Sequence, residues 1–363
     1  MKPNGPNERL KRAYTRYLRD ARRKSESSID AALAAIDRFE AFTKRRPFLG
    51  FHIEQASEFK DHLAEQLRAR TKKPLSLATQ LHILAALRAF FIWLADQPRY
   101  RRRIRHSDSD YFSLSLKQTA TARASNEVAG PTLEQVRHVV RCMPAGSDVE
   151  KRNRALFALA ILTGARDDAL ASLLLKHIDV ADRMVRQDPR EVRTKASKMI
   201  DTWFFPVGED FVEIVEEWVT FLKIERQWGL GDPLFPKTKV VSSADRRFQA
   251  AGLARACWSN ATPIRAIFRN AFAAAGLPYF NPHSLRNTLA RIGLQRCPMG
   301  EQFQAWSQNF GHEKMLTTFT SYGKLDRLQQ RDIVKSLWQS GADTRSDLEA
   351  LLRTLLLRGM PVG

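Results

Sequence analysis

The sequence predicts a multidomain, mainly α protein: a helical first part, then an α+β part with one small antiparallel sheet. Three observations predict it. The chain has 363 residues, enough for two domains. From Glu8 to Gln97 apolar residues recur at spacings of three and four, as on a helix face. Between Val180 and Val207 that spacing gives way to alternation, and helical spacing then returns.

Taken in order, residues 1–7 are rich in Pro, Gly and Asn and are expected to form a disordered tail. Residues 8–106 are expected to form a helical domain. Ser25 to Phe42 carries Ile29, Leu33, Ile36, Phe39 and Phe42, and Pro47 and Gly50 end it. Ile53 to Leu67 and Leu75 to Ala95 give two more helices, the latter with Leu77, Leu81, Leu84, Leu87, Phe90, Phe91 and Leu94 on or near one face. Residues 107–130 lack periodicity, are rich in Ser, Thr, Asp and Ala, and are read as a linker. A further domain is expected over 131–335, opening on a capping box of Thr132 and Gln135. Asp188-Pro189 and Ala196-Ser197 are read as turns of its sheet, and helices are expected from Asp210 to Arg331. The tail, 336–363, carries a capped leucine-rich helix from Ser346 to Arg358 that would dock on a neighbouring subunit or fold back on its own core.

Lysine plus arginine number 59 against 39 acidic residues, a formal charge of +20. A pI near 10.3 points to a polyanionic partner, most simply nucleic acid. Apolar runs such as Ala155 to Leu162 fall well short of the roughly 18 residues that a bilayer span needs. Cys142, Cys257 and Cys297 are scattered and odd in number, so neither a disulfide framework nor a zinc site is indicated. The first residues lack the apolar stretch of a signal peptide, which implies cytoplasmic residence.

Chemistry concentrates between Asn281 and Gly323, in NPHSLRNTLARIG and NFGHEKMLTTFTSYG. His283 and Arg286 are three apart and share a helix face. His312 and Tyr322 follow. Two histidines, an arginine and a tyrosine without carboxylates at ligand spacing suit a phosphate better than a metal. Upstream, Arg166 stands in LTGARDDAL and Lys195 in VRTKASK. The run from Arg99 to His106 holds arginines that would repel one another without an anion. Arg101, Arg102, Arg103 and Arg105, with Lys72 and Lys73 of a basic loop, are therefore candidate contacts to a DNA backbone.

HSLR, FGH and SYG, with the earlier Thr-Gly-Ala-Arg and the lysine turn, resemble the signature of the tyrosine recombinases, the phage integrase family. The resemblance spans roughly Pro131 to Asp332; before that it rests on helical character and basic charge alone. It implies a SAM-like helical core-binding domain and the DNA breaking-rejoining fold. It also implies that Arg166 and Arg286 hold the scissile phosphate, Lys195 protonates the 5′ oxygen, and His283 assists proton transfer. His312 would hydrogen-bond the phosphate and Tyr322 would form a 3′-phosphotyrosine. The chemistry is consistent: a phenolate is both nucleophile and leaving group, and guanidinium forks match phosphate oxygens. No metal or other cofactor is implied. The expected partner is double-stranded DNA clamped by the two domains, with protomers assembling as a tetramer near the nucleoid and accessory DNA-bending or directionality proteins joining them. Lys198 and Lys176 are lesser candidates for the proton donor.

The pattern departs from the family in three places. Ala169 stands where a carboxylate often follows the first arginine, with Asp168 beside it. Asn287 replaces a frequent histidine, and the His312–Tyr322 interval is about one residue longer than the commonest spacing. A type IB topoisomerase, a silent DNA-binding regulator and a metal-dependent nuclease are the rivals. The apolar tail, the complete set of six groups and the lack of clustered carboxylates argue against them in turn.

Overall fold

The computed structural model describes residues 4–68, 72–123, 130–194, 198–242, 248–297, 300–311 and 331. The chain divides into two compact units, Met1–Asn126 and Glu127–Gly363.

The first unit is helical: α1 Gly5–Arg16, α2 Glu26–Phe42, α3 Ile53–Glu65, α4 Leu77–Ala95 and α5 Leu116–Arg123. Ser25 and Ser76 cap α2 and α4 by accepting from the amides of Ser28 and Thr79, which satisfies donors that a helix start leaves open. The apolar stripe predicted for α2 is buried at Ile29, Ile36 and Phe39. Phe39 meets Phe59, Phe91 and Phe112 edge-on, with ring centroids 5.2, 5.6 and 5.4 Å away. Such edge-to-face pairs add stabilisation beyond area burial.

Three sequence expectations change here. Asn4, within the expected tail, caps helix α1 by accepting from the Asn7 amide. Asn7 is fully buried, donating to Glu40 Oε1 and the Arg46 carbonyl and accepting from the Phe48 amide. A composition count cannot see that one amide side chain satisfies three distant groups. Residues 107–123, read as linker, include a 3-10 turn at His106–Tyr111 and helix α5, which packs on α4. Finally, α4 does have the length and apolar composition of a membrane span. It is the central helix of this unit, with Leu84, Leu87, Phe90, Phe91 and Leu94 at most 1% exposed.

The second unit is built round α7, Asp148–Thr163, whose residues Ala155–Leu162 are at most 2% exposed. Around it lie α6 Leu133–Cys142, α9 Glu209–Thr220, α10 Thr262–Ala274 and α11 Ser284–Arg296. Phe157 of α7 stacks on Phe268 of α10 at 4.4 Å. The short helix α8, Asp167–Leu170, follows α7, and α12, Gly300–Asn309, follows α11. An antiparallel sheet runs in the order β1 Ile178–Asp179, β2 Met184–Gln187, β3 Ile200–Trp203, with Met184 opposite Trp203 and Gln187 opposite Ile200.

Two expectations shift in this unit. Beyond β2, Asp188 makes the expected turn, but the alternating residues 190–194 that follow form no strand. The Asp188 carbonyl accepts from Glu191 and Val192, and its carboxylate accepts from the Arg190 amide. The helices expected through to Arg331 are interrupted by an antiparallel hairpin, β4 Lys237–Ser242 with β5 Phe248–Ala254. Val240 and Val241 supply β-branched character there. The turn at Ala196-Ser197 and the helix at 346–358 lie outside the described residues.

Candidate active site

Arg286 is the fixed point of the second unit. Asn281 organises the start of α11, its Oδ1 accepting from the Ser284 amide and its carbonyl from the Ser284 hydroxyl. That turn puts His283 at the helix cap, exposed, and Arg286 one turn on, only 3% exposed. Arg286 Nη1 donates to the Gly164 carbonyl at 2.6 Å and Nη2 to the Phe310 carbonyl at 3.0 Å. The Phe310 ring lies under the guanidinium, 4.6 Å from Cζ. Carbonyl dipoles, one of them at the negative end of helix α7, hold the cation in place.

Those two carbonyls tie the predicted groups together. Gly164 lies two residues before Arg166, and Phe310 two before His312. Gly164 ends α7 at φ +58, and an added Cβ would meet Phe310 and Leu289 at 3.0 and 3.1 Å. Gly311 sits at φ +73 with Ile200 of β3 2.8 Å from where a Cβ would stand. Glycine is thus required on both sides of the guanidinium by conformation and by space. His312 itself, with Lys195 and Tyr322, lies outside the described residues.

Arg166 caps α8 with extended backbone and is partly exposed. Its side chain has no hydrogen bond or ion pair among the described residues. The carboxylates beside it are occupied elsewhere: Asp167 accepts from Arg265 Nε at 2.7 Å and Asp168 from Arg193 Nε at 2.9 Å. Arg193 is the functional candidate that sequence reading passes over. Its amide donates to Ser172 Oγ at 2.9 Å and its Nη2 to the Trp258 carbonyl at 3.0 Å. Only its place two residues before Lys195 hints at a role. Of the lesser lysines, Lys176 is held by Glu191 at 2.6 Å. That contact and His177 draw the Glu191 carboxyl below its usual range. Among the described residues no three His, Cys, Asp or Glu side chains gather as metal ligands.

In the first unit, one helical turn sorts the arginine run. Tyr100 and Ile104 face inward at 7% and 2% exposure, and Arg103 and Ile104 donate to the Tyr100 carbonyl. Arg101, Arg102, Arg103 and Arg105 are left exposed. Lys72 and Lys73 are exposed in a loop closed by the Leu67–Pro74 bridge, with Lys72 at φ +52. A long side chain in that left-handed conformation costs about 1 kcal/mol.

The sequence profile of the phage integrase family matches residues 132–327, more than half of the chain. The chain belongs to the phage integrase family. Among curated relatives, it is 25% identical over 185 residues to the tyrosine recombinase XerC of Lactobacillus leichmannii. It is equally similar to XerC of Lactobacillus delbrueckii subsp. bulgaricus. Each alignment covers 51% of this chain and 55% of the relative, so the chain spans about half the length of the curated relatives it matches.

Solved integrases share the fold. The Tn1549 transposon integrase in complex with transposon right end DNA gives a TM-score of 0.60 at 15% identity, covering 90% of this chain and 99% of that one. A lambda integrase dimer bound to a COC′ core site gives 0.58 at 14%, covering 88% and 78%. XerH bound to palindromic difH substrate gives 0.57 at 16%, covering 88% and 82%. The fold is that of the tyrosine recombinases: mainly helical, with small antiparallel sheets. In this chain the departing Ala169 is 1% exposed and belongs to the core.

Proposed function

We propose that this integrase is a site-specific DNA recombinase that cuts and rejoins strands through a 3′-phosphotyrosine. The observation that carries the reading is the buried Arg286 guanidinium, anchored by carbonyls two residues from Arg166 and two from His312. Arg166 and Arg286 hold the scissile phosphate, and their forks take up the charge that gathers on its non-bridging oxygens. Tyr322 attacks phosphorus while Lys195 gives a proton to the departing 5′ oxygen. His283 takes the phenol proton, and His312 donates to the phosphate. The phosphotyrosine conserves the energy of the broken bond, so rejoining to a new end needs no nucleotide. No metal is required.

Residues 8–106 grip the DNA backbone through Arg101, Arg102, Arg103, Arg105, Lys72 and Lys73, and residues 131–335 carry the chemistry. Exchange of ends between two duplexes calls for several protomers, a tetramer on double-stranded DNA. DNA-bending or directionality proteins choose the outcome at the nucleoid. The charge of +20 supports the DNA assignment, as do solved relatives bound to DNA.

The test is covalent capture. The native chain is expected to stay attached to a nicked suicide duplex through its 3′ phosphate, in the presence of EDTA. A Tyr322→Phe variant that still formed the adduct would remove the nucleophile from this scheme.

A further inference from the structure

We propose that Asp168 and Arg193 form a positioning pair that sets the backbone leading to Lys195 in register with the Arg166 element. The proposal rests on Lys195 being the general acid. Arg193 is held at three points: by the Asp168 carboxylate, the Ser172 hydroxyl and the Trp258 carbonyl. Two of these anchors belong to the segment that follows Arg166. Ser172 donates back to the carbonyls of Asp168 and Ala169, and the Arg166 carbonyl accepts from the Leu170 amide. The phosphate-binding arginine and the last described residues before the lysine are thus fastened to one short piece of backbone.

The pair is poorly suited to a purely stabilising role. Its side chains are 38% and 51% exposed, and ion pairs that open to solvent contribute at most about 1 kcal/mol. Placement is a more demanding need. A proton donor has to lie within hydrogen-bond reach of the leaving oxygen, and an error of about 1 Å costs on the order of 100-fold in rate. With Ala169 apolar and buried, the neighbouring carboxylates are those of Asp167 and Asp168, and that of Asp168 faces Arg193 rather than Arg166.

The experiment uses the full chain and a nicked duplex enriched from a random pool by covalent capture with the native protein. The scissile 5′ oxygen is then replaced by sulfur. In the natural step the Tyr322 Oη–P bond forms, P–O5′ breaks, and the Lys195 ammonium passes a proton to O5′. In the substituted duplex P–S5′ breaks and the sulfur departs as a thiolate, which needs no proton.

Lys195→Ala is expected to lose about 100-fold or more with oxygen, within the range ascribed to general acids, and to recover with sulfur. Arg193→Gln and Asp168→Asn are expected to lose about 10- to 100-fold with oxygen through misplacement and to come within about threefold of native with sulfur. DNA binding should be unchanged in both. Because the two side chains act as one unit, the double variant should be no slower than the slower single one. Equal losses on both substrates for Arg193→Gln, alongside rescue of Lys195→Ala, would overturn the pair and leave the general acid standing. Failure of sulfur to rescue Lys195→Ala would overturn the general acid and the pair with it. Should Arg193→Gln not fold, the half-exposed Asp168→Asn carries the same comparison.

Discussion

Two groups of arginines in this protein are held in opposite ways. Arg286 in the second unit is buried, its guanidinium bonded to two carbonyls and backed by a ring. Arg101 to Arg103 in the first unit are exposed, and their side chains have no partner among the described residues. The difference matches what the proposed function asks of each. A cation that stabilises charge developing on a phosphate has to be in place beforehand, because reorganisation during the reaction would raise the barrier. A cation that adds affinity for any phosphate backbone gains from reach and loses little from freedom.

The sharpest way to break this contrast is at Arg286. Arg286→Lys keeps the charge but one ammonium cannot reproduce the planar fork, so adduct formation is expected to fall about 100- to 1,000-fold. Single-turnover capture measures it, with circular dichroism to check folding; a fall below tenfold would mean that the fork is not needed.

Next in size is Gly164→Ala. The positive φ and the close Phe310 and Leu289 contacts should together cost about 1–3 kcal/mol, read from denaturant unfolding. The cleavage rate should fall with it, because the carbonyl that seats Arg286 moves. Unchanged stability would show that the cap is not strained by a side chain.

Neutralising Arg101, Arg102 and Arg103 to Gln should act differently. Binding should weaken to a similar extent on all sequences, and the slope of log affinity against log salt should flatten by up to about 2.7. Fluorescence anisotropy over a salt series checks this; loss of discrimination between sequences would instead mark base readout.

The smallest effect concerns Asp188, which turns the chain toward the lysine segment. Hydrogen bonds from Arg190, first its side chain and then its amide, pull the carboxyl down to about 2. A depressed acid contributes stability above its ordinary value, near 3.8, and loses it as pH falls toward 2. Native and Asp188→Asn chains should therefore draw together in acid unfolding below about pH 4 and converge near pH 2, and a difference that persisted there would exclude this carboxyl.

Much of the fold was legible because it rests on local pattern. The stripes of α2 and α4, the Thr132 cap and the change of period before β2 are written in short windows of sequence. What escaped is long-range. Asn7 gains its place from groups some forty residues on. The β4–β5 hairpin interrupts a region read as continuous helix. The site divides in the same way. Arg166, His283 and Arg286 stand out through their motifs, whereas Arg193 gains meaning only through contacts 25 and 65 residues away.

The two bonds of Arg286 also impose an order in time. Gly164, Arg286 and Phe310 leave the ribosome in that sequence, so the staple cannot close until the last of them has emerged. A growing chain that has finished its first unit still has the cation assigned to the phosphate unseated. Under the proposed function, the order of synthesis itself keeps a half-made protein from cutting DNA.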